Sequence, residues 1–299
     1  MSALRFCLSA IIGLALIHSG PARASAAPES IIVEGQRLHS QVGDFVEKLT
    51  AQVKDDQLGR FVEEICPSVS GLPNDLAQDI MGRIRRVTTA VGARVAKAKC
   101  RPNLVLLVVH DKQTAIRQLR AGYPQIFGDM RTADIHKLVE TPGPTVAWQS
   151  SSRLGSDGMP LSMVRVNPED GSNESVPLVR GAFLSRTNMQ IIQHFALSLV
   201  VVEARALDQV DTRQLADYAV MRTLAATPAA ADLPAPSILS LFKPGVSPLE
   251  APESVTWWDY AFLKALYRSS NRLEASAQRS QVRQMMNQEL KQIPTEQHQ

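Results

Sequence analysis

Residues 104–109 read Leu-Val-Leu-Leu-Val-Val, six consecutive apolar residues with polar neighbours on both sides. The run is too short for an isolated helix and contains three valines, so it predicts a strand that is buried on both faces. Before it, apolar residues at three- and four-residue spacing over 76–95 predict an amphipathic helix, with Asn74 or Asp75 as its N-cap. A second helical pattern follows at 113–119. Helix, buried strand and helix in succession indicate a sheet flanked by helices.

The chain upstream of this unit predicts one strand and two helices. The β-branched run Ile31–Val33 indicates a short strand before Gly35. Apolar residues then recur with helical spacing over 42–53 and, after a polar break, over 58–65.

The middle of the chain changes to short apolar runs separated by Gly, Ser, Asp and Pro, which predicts antiparallel sheet. Residues 197–202 favour a strand, although 190–206 also fits a helix. The helical patterns of the C-terminal part have capping residues in front of them, Asp211 or Thr212 in one case and Thr256 in another. The predicted elements from 133 onward are helix 133–139, strands 145–149, 163–166 and 176–184, helix 212–224, linker 227–236, turn 237–242, a helix after Thr256 and helix 275–290.

These patterns predict an α+β fold, a mixed sheet flanked by helices with a helical C-terminal third. Residues 27–299 are expected to form a single mature domain. Within it we distinguish an N-terminal half of helices and strands (27–140), a strand-rich part (141–210) and a helical part (211–299). A composition of 44% hydrophobic and 20% charged residues excludes a disordered, collagenous or coiled-coil chain.

The first 26 residues have the pattern of a secretory signal peptide. Arg5 is followed by the apolar run 8–17 and by the small residues Ala24-Ser25-Ala26, which predict cleavage after Ala26. An uncleaved anchor is disfavoured because the apolar run is shorter than the roughly 20 residues that span a bilayer. We therefore predict export to the periplasm or beyond, with no transmembrane span after cleavage.

Cleavage would remove Cys7 and leave Cys66 and Cys100. Two cysteines in an exported chain predict a disulfide bond. Their wide separation differs from a redox C-x-x-C pair, so a structural role is expected. The bridge would enclose a loop of roughly 33 residues and stabilise the fold by about 3 to 4 kcal/mol.

Catalytic motifs are sparse in this sequence. It contains no H-E-x-x-H, G-x-S-x-G, G-x-x-x-x-G-K-[ST] or G-x-G-x-x-G pattern, so we expect no metal site and no cofactor. The candidates for a dispersed site are His110 and Asp111, at the carboxyl end of the buried strand, and His194. The alternative for His110 and Asp111 is a structural one, in which they open a turn and cap the helix near Gln113.

The charge of the chain does not identify a partner. The formal net charge is +3, with 32 basic and 29 acidic residues, too even a balance for a dedicated nucleic-acid binder. The basic stretch from Arg83 to Arg101 could contact anionic lipid, but a solvated helix face is its ordinary explanation. The partner is therefore unknown, and a protein partner in the cell envelope fits the predicted export.

Three stretches of the C-terminal third resemble a group of exported bacterial proteins of unknown function: 214–221, 237–242 and 256–267. Their order is also similar to the catalytic half of metzincin-type zinc peptidases. The resemblance implies a zincin-like scaffold, in which Ser237-Ile238-Leu239 would correspond to the turn beneath the metal. Thr256, Asp259, Leu263, Leu266 and Tyr267 would correspond to the last helix.

The segment that would carry the zinc ligands departs from the peptidase pattern. Residues 215–221 contain no histidine, and only Asp217 is a hard donor there, so no metal ligand carries over. Our leading hypothesis is an exported protein of the cell envelope that acts in binding or structure without catalysis. The alternative is an envelope hydrolase whose dispersed site involves His110, Asp111 and His194.

Overall fold

The computed structural model describes residues 28–51, 53, 57–155, 157–166, 174–178, 189–229 and 232–292. The chain divides into two compact units, residues 1–37 and 38–299. Of the first unit, the described residues are 28–37, and they are helical. The predicted signal peptide, residues 1–26, lies outside the described residues.

The described part of the chain alternates between helices and strands in its first half and is helical toward its C-terminus. The α-helices are α1 (Pro28–Thr50), α2 (Asn74–Ala90), α3 (Lys112–Gly122), α4 (Thr132–Glu140), α5 (Thr212–Leu224), α6 (Trp257–Arg268) and α7 (Ala275–Leu290). The strands are β1 (Pro67–Ser70), β2 (Leu104–Val109), β3 (Thr145–Gly155), β4 (Ser162–Val166), β5 (Glu174–Leu178) and β6 (Ile191–Glu203). Short 3₁₀ turns lie at Pro124–Phe127, Ala204–Ala206 and Ile238–Phe242.

The main sheet has the strand order β1-β2-β6-β3. β1, β2 and β6 run parallel, whereas β3 pairs with β6 in the antiparallel sense. β4 and β5 form a separate antiparallel pair. This mixed sheet with flanking helices confirms the predicted α+β fold. The short mid-chain strands are also confirmed, except that 179–184 of the last predicted run lie outside the described residues.

Both faces of the sheet are covered, so two apolar clusters form. Leu104 and Leu106 of β2 are fully buried in the larger cluster, which includes residues of α1, α2, α5, α6 and α7. Val105 and Leu107 face the other way and pack, half-buried, against a smaller cluster under α3 and α4. β2 is therefore the doubly covered strand that its unbroken apolar run predicts.

Helix α5 lies in the larger cluster, and every residue from Gln214 to Leu224 is buried. Asp211 caps its N-terminus by accepting a hydrogen bond from the Gln214 backbone N–H at 2.7 Å. Thr256 caps α6 in the same way, through the Asp259 N–H at 3.1 Å. The sequence predicted Thr256 as the cap of α6 and either Asp211 or Thr212 as the cap of α5, and these caps fix where the two helices begin.

Two predictions for the N-terminal region are wrong. Ile31–Val33 is part of α1 and not a strand. A three-residue β-branched run has only a weak preference, and a helix that continues into the buried residues Phe45 and Leu49 extends through it at little cost. Residues 58–65, predicted as a helix, have irregular backbone, with one parallel bridge between Ile65 and Val95.

The irregular segment 57–65 is held by partners outside itself. The Leu58 N–H donates to the side chain of Gln278 at 2.6 Å, and Arg60 O accepts the Phe195 N–H at 2.9 Å. Gly59 lies against β6, where an added Cβ would come within 2.2 Å of the Phe195 ring. Long-range contacts therefore satisfy the backbone groups that a helix would have satisfied locally.

The predicted N-cap and end of α2 also need correction. Pro73 occupies the cap position and no side chain caps the helix, so neither Asn74 nor Asp75 has that role. The helix ends at Ala90, before the predicted Val95, because Gly92 turns the chain with a φ of +86°. No helix within the described residues combines the length and hydropathy that crossing a membrane requires.

Candidate functional site: the outer edge of β3

Strand β3 lies at the edge of the main sheet, and its hydrogen-bonding pattern can be read from β6. The backbone N–H groups of Ser198 and Phe195 in β6 donate to carbonyls on the side away from β3, at 2.8 and 2.9 Å. In an antiparallel ladder, two opposed residues exchange both hydrogen bonds or neither. Gln149 and Ser151, which oppose these residues, therefore direct their own N–H and C=O groups to the outer edge.

Among the described residues, this outer edge is paired only at its C-terminal end. There the Gly155 N–H donates to Met159 O at 2.8 Å, and Leu154 forms a bridge with Pro160. From Thr145 to Arg153, no described residue makes a backbone hydrogen bond to the outer edge. Within the described part of the chain these outward donors and acceptors have no backbone partner, and the residues that carry them are at least partly exposed from Ala147 to Arg153.

A groove with a volume of about 510 Å³ runs beside this edge. We call it the edge groove, and its lining residues are Phe127, Asp129, Met130, Gln149, Ser151, Ser152, Arg153 and Gln193. The far wall is the loop after the Pro124–Phe127 turn. Asp129 contributes a negative side chain to the lining and Arg153 a positive one. The other lining residues are uncharged.

The far wall of the groove is anchored on β3. Trp148 donates its indole N–H to Ile126 O at 3.1 Å, and its ring stacks on Phe127 with centroids 5.1 Å apart. Gly128 has a φ of +56°, and an added Cβ would lie 2.4 Å from Ser150 Oγ. Glycine is needed here because both the backbone angle and the close approach disfavour a side chain. The groove is thus a built feature of the fold.

A buried polar cluster lies between β3 and α5, formed by Thr145, Gln149, Ser198, Tyr218 and Arg222. Tyr218 Oη and Thr145 Oγ1 are 2.8 Å apart, and Arg222 Nη1 donates to the same Tyr218 oxygen at 3.1 Å. The Gln149 amide donates to Ser198 Oγ at 3.2 Å and to Arg222 O at 2.9 Å. Gln149 therefore belongs to both the groove and the polar cluster.

The predicted pair His110 and Asp111 lies at another edge of the molecule. Both side chains are exposed, directly after β2. Asp111 caps α3 and accepts the Thr114 backbone N–H at 2.7 Å. Hydrogen bonds from Thr114 lower the pKa of the Asp111 carboxyl. This geometry is the capping arrangement that the sequence offered as the structural alternative.

His194 is buried in β6, far from that pair. Its Nδ1 lies 3.2 Å from Phe195 O, and its buried Nε2 has no hydrogen-bond partner among the described residues. Because Val109 pairs with Glu203, nine residues further along β6, His194 lies about 30 Å from His110. The structure does not bring the three candidate residues together.

Asp217 and Asp259 belong to the stretches that resemble zinc peptidases, and each makes a structural contact between elements. Asp217 accepts two hydrogen bonds from Arg83 at 2.7 Å each, and further ones from Ser254 and the Val255 N–H. These hydrogen bonds raise the pKa of Arg83, because they favour its charged form. Arg83 is thus tied to α5 and is not part of the solvated basic face expected from the sequence.

Asp259 makes the second contact, between the turn at Ile238–Phe242 and α6. Its Oδ1 accepts from Ser237 Oγ at 2.6 Å, and its Oδ2 accepts from the Ile238 and Thr256 N–H groups at 2.8 and 3.0 Å. The carboxyl side chain therefore ties this turn to the first residues of α6. Among the described residues, no group of three or more His, Cys, Asp or Glu side chains is arranged to hold a metal ion.

The cysteine prediction is confirmed. Cys66 and Cys100 form a disulfide with their Cα atoms 5.9 Å apart. The bridge lies at the start of β1, where Cys66 N–H also donates to Asn103 Oδ1 at 2.7 Å. It joins the irregular segment before β1 to the chain that leads into β2.

Comparison of the chain with protein families, with characterised proteins and with solved structures finds no match. The geometry of the molecule is therefore the basis for assigning a function. Sequence patterns did not indicate the edge groove or Arg222. The one available signal for Arg222 was a charged residue in an otherwise apolar stretch of α5, 218–221 and Leu224.

Proposed function

We propose that this protein is a binding protein of the cell envelope that takes an extended peptide as an added strand along β3. The observation that carries the proposal is the row of outward N–H and C=O groups from Ala147 to Arg153, which no described residue pairs. Backbone hydrogen bonds to an exposed sheet edge supply affinity without a fixed sequence, and adjoining pockets supply selectivity. The edge groove would receive the side chains of such a peptide.

The length and lining of the edge support this occupant. The stretch 147–153 of β3 extends over about 24 Å at 3.4 Å per residue, enough for a continuous peptide strand. Asp129 and Arg153 in the groove can each pair with a side chain of opposite charge. A sheet edge of this length that no described residue pairs is a template for pairing with another chain.

Two features support the location in the cell envelope. The disulfide Cys66–Cys100 is typical of chains that fold in an oxidising compartment. The pattern of residues 1–26 fits a signal for export, to the periplasm or out of the cell. A peptide segment of another envelope protein is then the kind of partner that the chain would meet.

The test uses residues 27–299 with the disulfide formed, and peptides selected on it from a random dodecapeptide display library. A selected peptide is compared with versions methylated at alternate backbone nitrogens. Methylation of the amides that face β3 is expected to lower the affinity at least tenfold, because each such amide donates to the strand. Methylation of the intervening amides is expected to change it little.

Ser151→Pro is the matching change in the protein. It removes an outward N–H without changing the hydrogen bonds between β3 and β6. An edge strand accepts proline at a position of this kind. Ser151→Thr retains the N–H and is the control. We expect Ser151→Pro to lose peptide binding and Ser151→Thr to keep it. In the wild type, peptide binding should slow the hydrogen exchange of the Gln149 and Ser151 amides. Equal binding by both variants, or no peptide selected, would refute the proposed function.

A further inference from the structure

The chain that leaves β3 turns back along the same outer edge. Gly155 N–H donates to Met159 O at 2.8 Å, and Leu154 forms an antiparallel bridge with Pro160. β4 begins at Ser162, two residues after this bridge. The pairing that covers the C-terminal end of the edge is therefore the start of a β-hairpin, and β4 is the next strand along the returning chain.

The register of this start determines which residues of β4 would oppose β3. In an antiparallel pair, each step back along one strand matches one step forward along the other. Continued from the bridge between Leu154 and Pro160, this register places Met163 opposite Ser151 and Arg165 opposite Gln149. The residues of β3 concerned are those that direct their backbone groups to the outer edge.

The backbone of β4 has matching groups at these positions. Met163 opposes Pro177 of β5, and proline has no N–H, so the two residues cannot belong to a pair that exchanges both hydrogen bonds. Met163, and Arg165 two residues further on, therefore direct their N–H and C=O groups away from β5. Gln149 and Ser151 direct theirs away from β6. In the continued register, the outward groups of the two strands face each other.

We infer that β4 docks on the outer edge of β3 and competes there with the peptide, and the competition rests on the proposed function. In this structure β4 pairs with β5 in a separate two-stranded sheet. Docking extends the main sheet to the order β1-β2-β6-β3-β4-β5. It keeps the pairing of β4 with β5, because it uses the other edge of β4. β4 and the peptide exclude each other, since both require the outward groups of Gln149 and Ser151.

Two features favour the docked state. A two-stranded antiparallel pair is marginally stable by itself in water, and pairing with a further strand stabilises it. Val164 of β4 is 40% exposed, and the continued register places it opposite Ser150. Ser150 faces the groove wall, where an added Cβ on Gly128 would lie 2.4 Å from its Oγ. Opposed side chains share a face, so docking brings Val164 toward Phe127 and Met130 of the groove lining.

The short connection favours β4 of the same chain over a strand of another molecule. Leu161 is the one residue between Pro160 of the bridge and the start of β4. A strand on so short a tether has an effective concentration in the millimolar range or above. A free peptide has to compete with it, so the measured affinity for the peptide falls with the fraction of molecules in which β4 is docked.

The first test traps the docked state with a disulfide. Ser152 and Ser162 are opposed in the continued register, and the Cα atoms of opposed residues lie within disulfide range. Ser152→Cys/Ser162→Cys is expected to form an intramolecular disulfide in oxidised glutathione, which peptide mapping by mass spectrometry detects beside the native Cys66–Cys100 bridge. The cross-linked protein should bind the selected peptides at least tenfold more weakly than Ser152→Ala/Ser162→Ala.

The control for the cross-link is Ser152→Cys/Met163→Cys, which is shifted by one residue. It should not form the disulfide, because a shift of one residue puts the two side chains on opposite faces of the sheet. Equal cross-linking of the two variants, or none in either, would overturn the inference. A cross-link between two chains would overturn it in favour of pairing between copies of the protein.

The second test weakens docking and measures the peptide affinity. Met163→Pro removes an N–H that is directed away from β5 and keeps the hydrogen bonds between β4 and β5. Met163→Leu retains the N–H and is the control. We expect Met163→Pro to bind a selected peptide at least threefold more tightly than the wild type, and Met163→Leu to bind it equally. In the unliganded protein, the Gln149 and Ser151 amides should exchange faster in Met163→Pro.

The outcomes separate this inference from the proposed function. Equal affinity of the wild type and Met163→Pro for the peptide, with equal amide exchange at Gln149 and Ser151, overturns the inference. Loss of the same peptide in Ser151→Pro would then still support the proposed function. If no peptide is selected on the wild type or on Met163→Pro, the proposed function is refuted together with the competition. The cross-link then decides by itself whether β4 docks on β3.

Discussion

Asp259 illustrates what burial does to a single ionisable group in this protein. The residue has no exposed surface, and burial raises the pKa of its carboxyl to about 6, against the hydrogen bonds from Ser237, Ile238 and Thr256 that lower it. The protonated carboxyl can keep both backbone donors on Oδ2 while Oδ1 bonds to the Ser237 hydroxyl. The fold therefore holds the proton more tightly than the unfolded chain does.

This raised pKa predicts a pH dependence of stability. The folded value of about 6 lies above the ordinary value of 3.8, so proton uptake favours the folded state. The contribution of Asp259 to the free energy of unfolding should rise as the pH falls from 7 to 4, by at most about 3 kcal/mol at 1.36 kcal/mol per unit. Urea unfolding of the wild type and of Asp259→Asn at both pH values measures it.

Asp259→Asn cannot titrate, so the difference between the two pH profiles isolates this group from the other carboxylates. The wild type should gain stability relative to the variant on acidification. Parallel profiles, or a relative loss by the wild type at pH 4, would contradict the prediction.

At the scale of the element, α3 shows a capping residue where the sequence suggested a catalytic one. Asp111 starts the helix by accepting the Thr114 N–H, and the side chain is exposed. Nearby, Lys112 is buried and donates its Nζ to the carbonyls of Thr141 and Gly143. Burial lowers the pKa of Lys112. These contacts fix the junction between β2 and α3.

We predict that Asp111→Ala lowers the free energy of unfolding by about 1 kcal/mol, the usual cost of losing an N-cap. Asp111→Asn should retain most of the stability, since an asparagine side chain also accepts from the Thr114 N–H. Chemical denaturation of the three proteins checks this. A loss in Asp111→Asn equal to that in Asp111→Ala would show that the charge, and not the cap, is what matters.

At the scale of the whole molecule, the disulfide links parts that lack regular hydrogen bonding. Cys66 ends the irregular segment 57–65, and Cys100 follows the turn after α2. The 34-residue separation includes β1 and all of α2. Cross-linking a loop of this length restricts the unfolded chain and so favours the folded state.

Cys66→Ser/Cys100→Ser is expected to lower the free energy of unfolding by about 3 to 4 kcal/mol. The melting temperature should fall by about 10 °C for a chain of this size. Calorimetry of the wild type with and without reductant, beside the double variant, provides the measurement. An unchanged melting temperature in the double variant would mean that the native packing alone holds the segment.

The sequence predicted an element well when the residues that determine it lie close together in the chain. Strand 104–109 and helices α3, α4, α6 and α7 carry their periodicity within a short stretch of chain, so the pattern predicted them, and α3 and α6 also have side-chain caps. The Cys66–Cys100 pair followed from cysteine count and predicted export. The helix predicted at 58–65 is wrong. Its apolar residues are buried, but the backbone that carries them is irregular. The hydrogen-bond partners of that backbone, such as Gln278 and Phe195, are far along the chain.

The sequence by itself determined the α+β class, the buried strand, most helices and the disulfide, because these depend on spacing and residue type. The tertiary structure decided the rest. It placed β3 at the edge of the sheet, formed the edge groove beside it, separated His194 from His110, and set Arg222 beneath β3, where no carboxylate of the described residues forms an ion pair with it. These features arise when residues about 20 to 70 positions apart come into contact, as Trp148 and Ile126 or Thr145 and Tyr218 do, and the spacing of residues within one helix or strand does not encode such contacts.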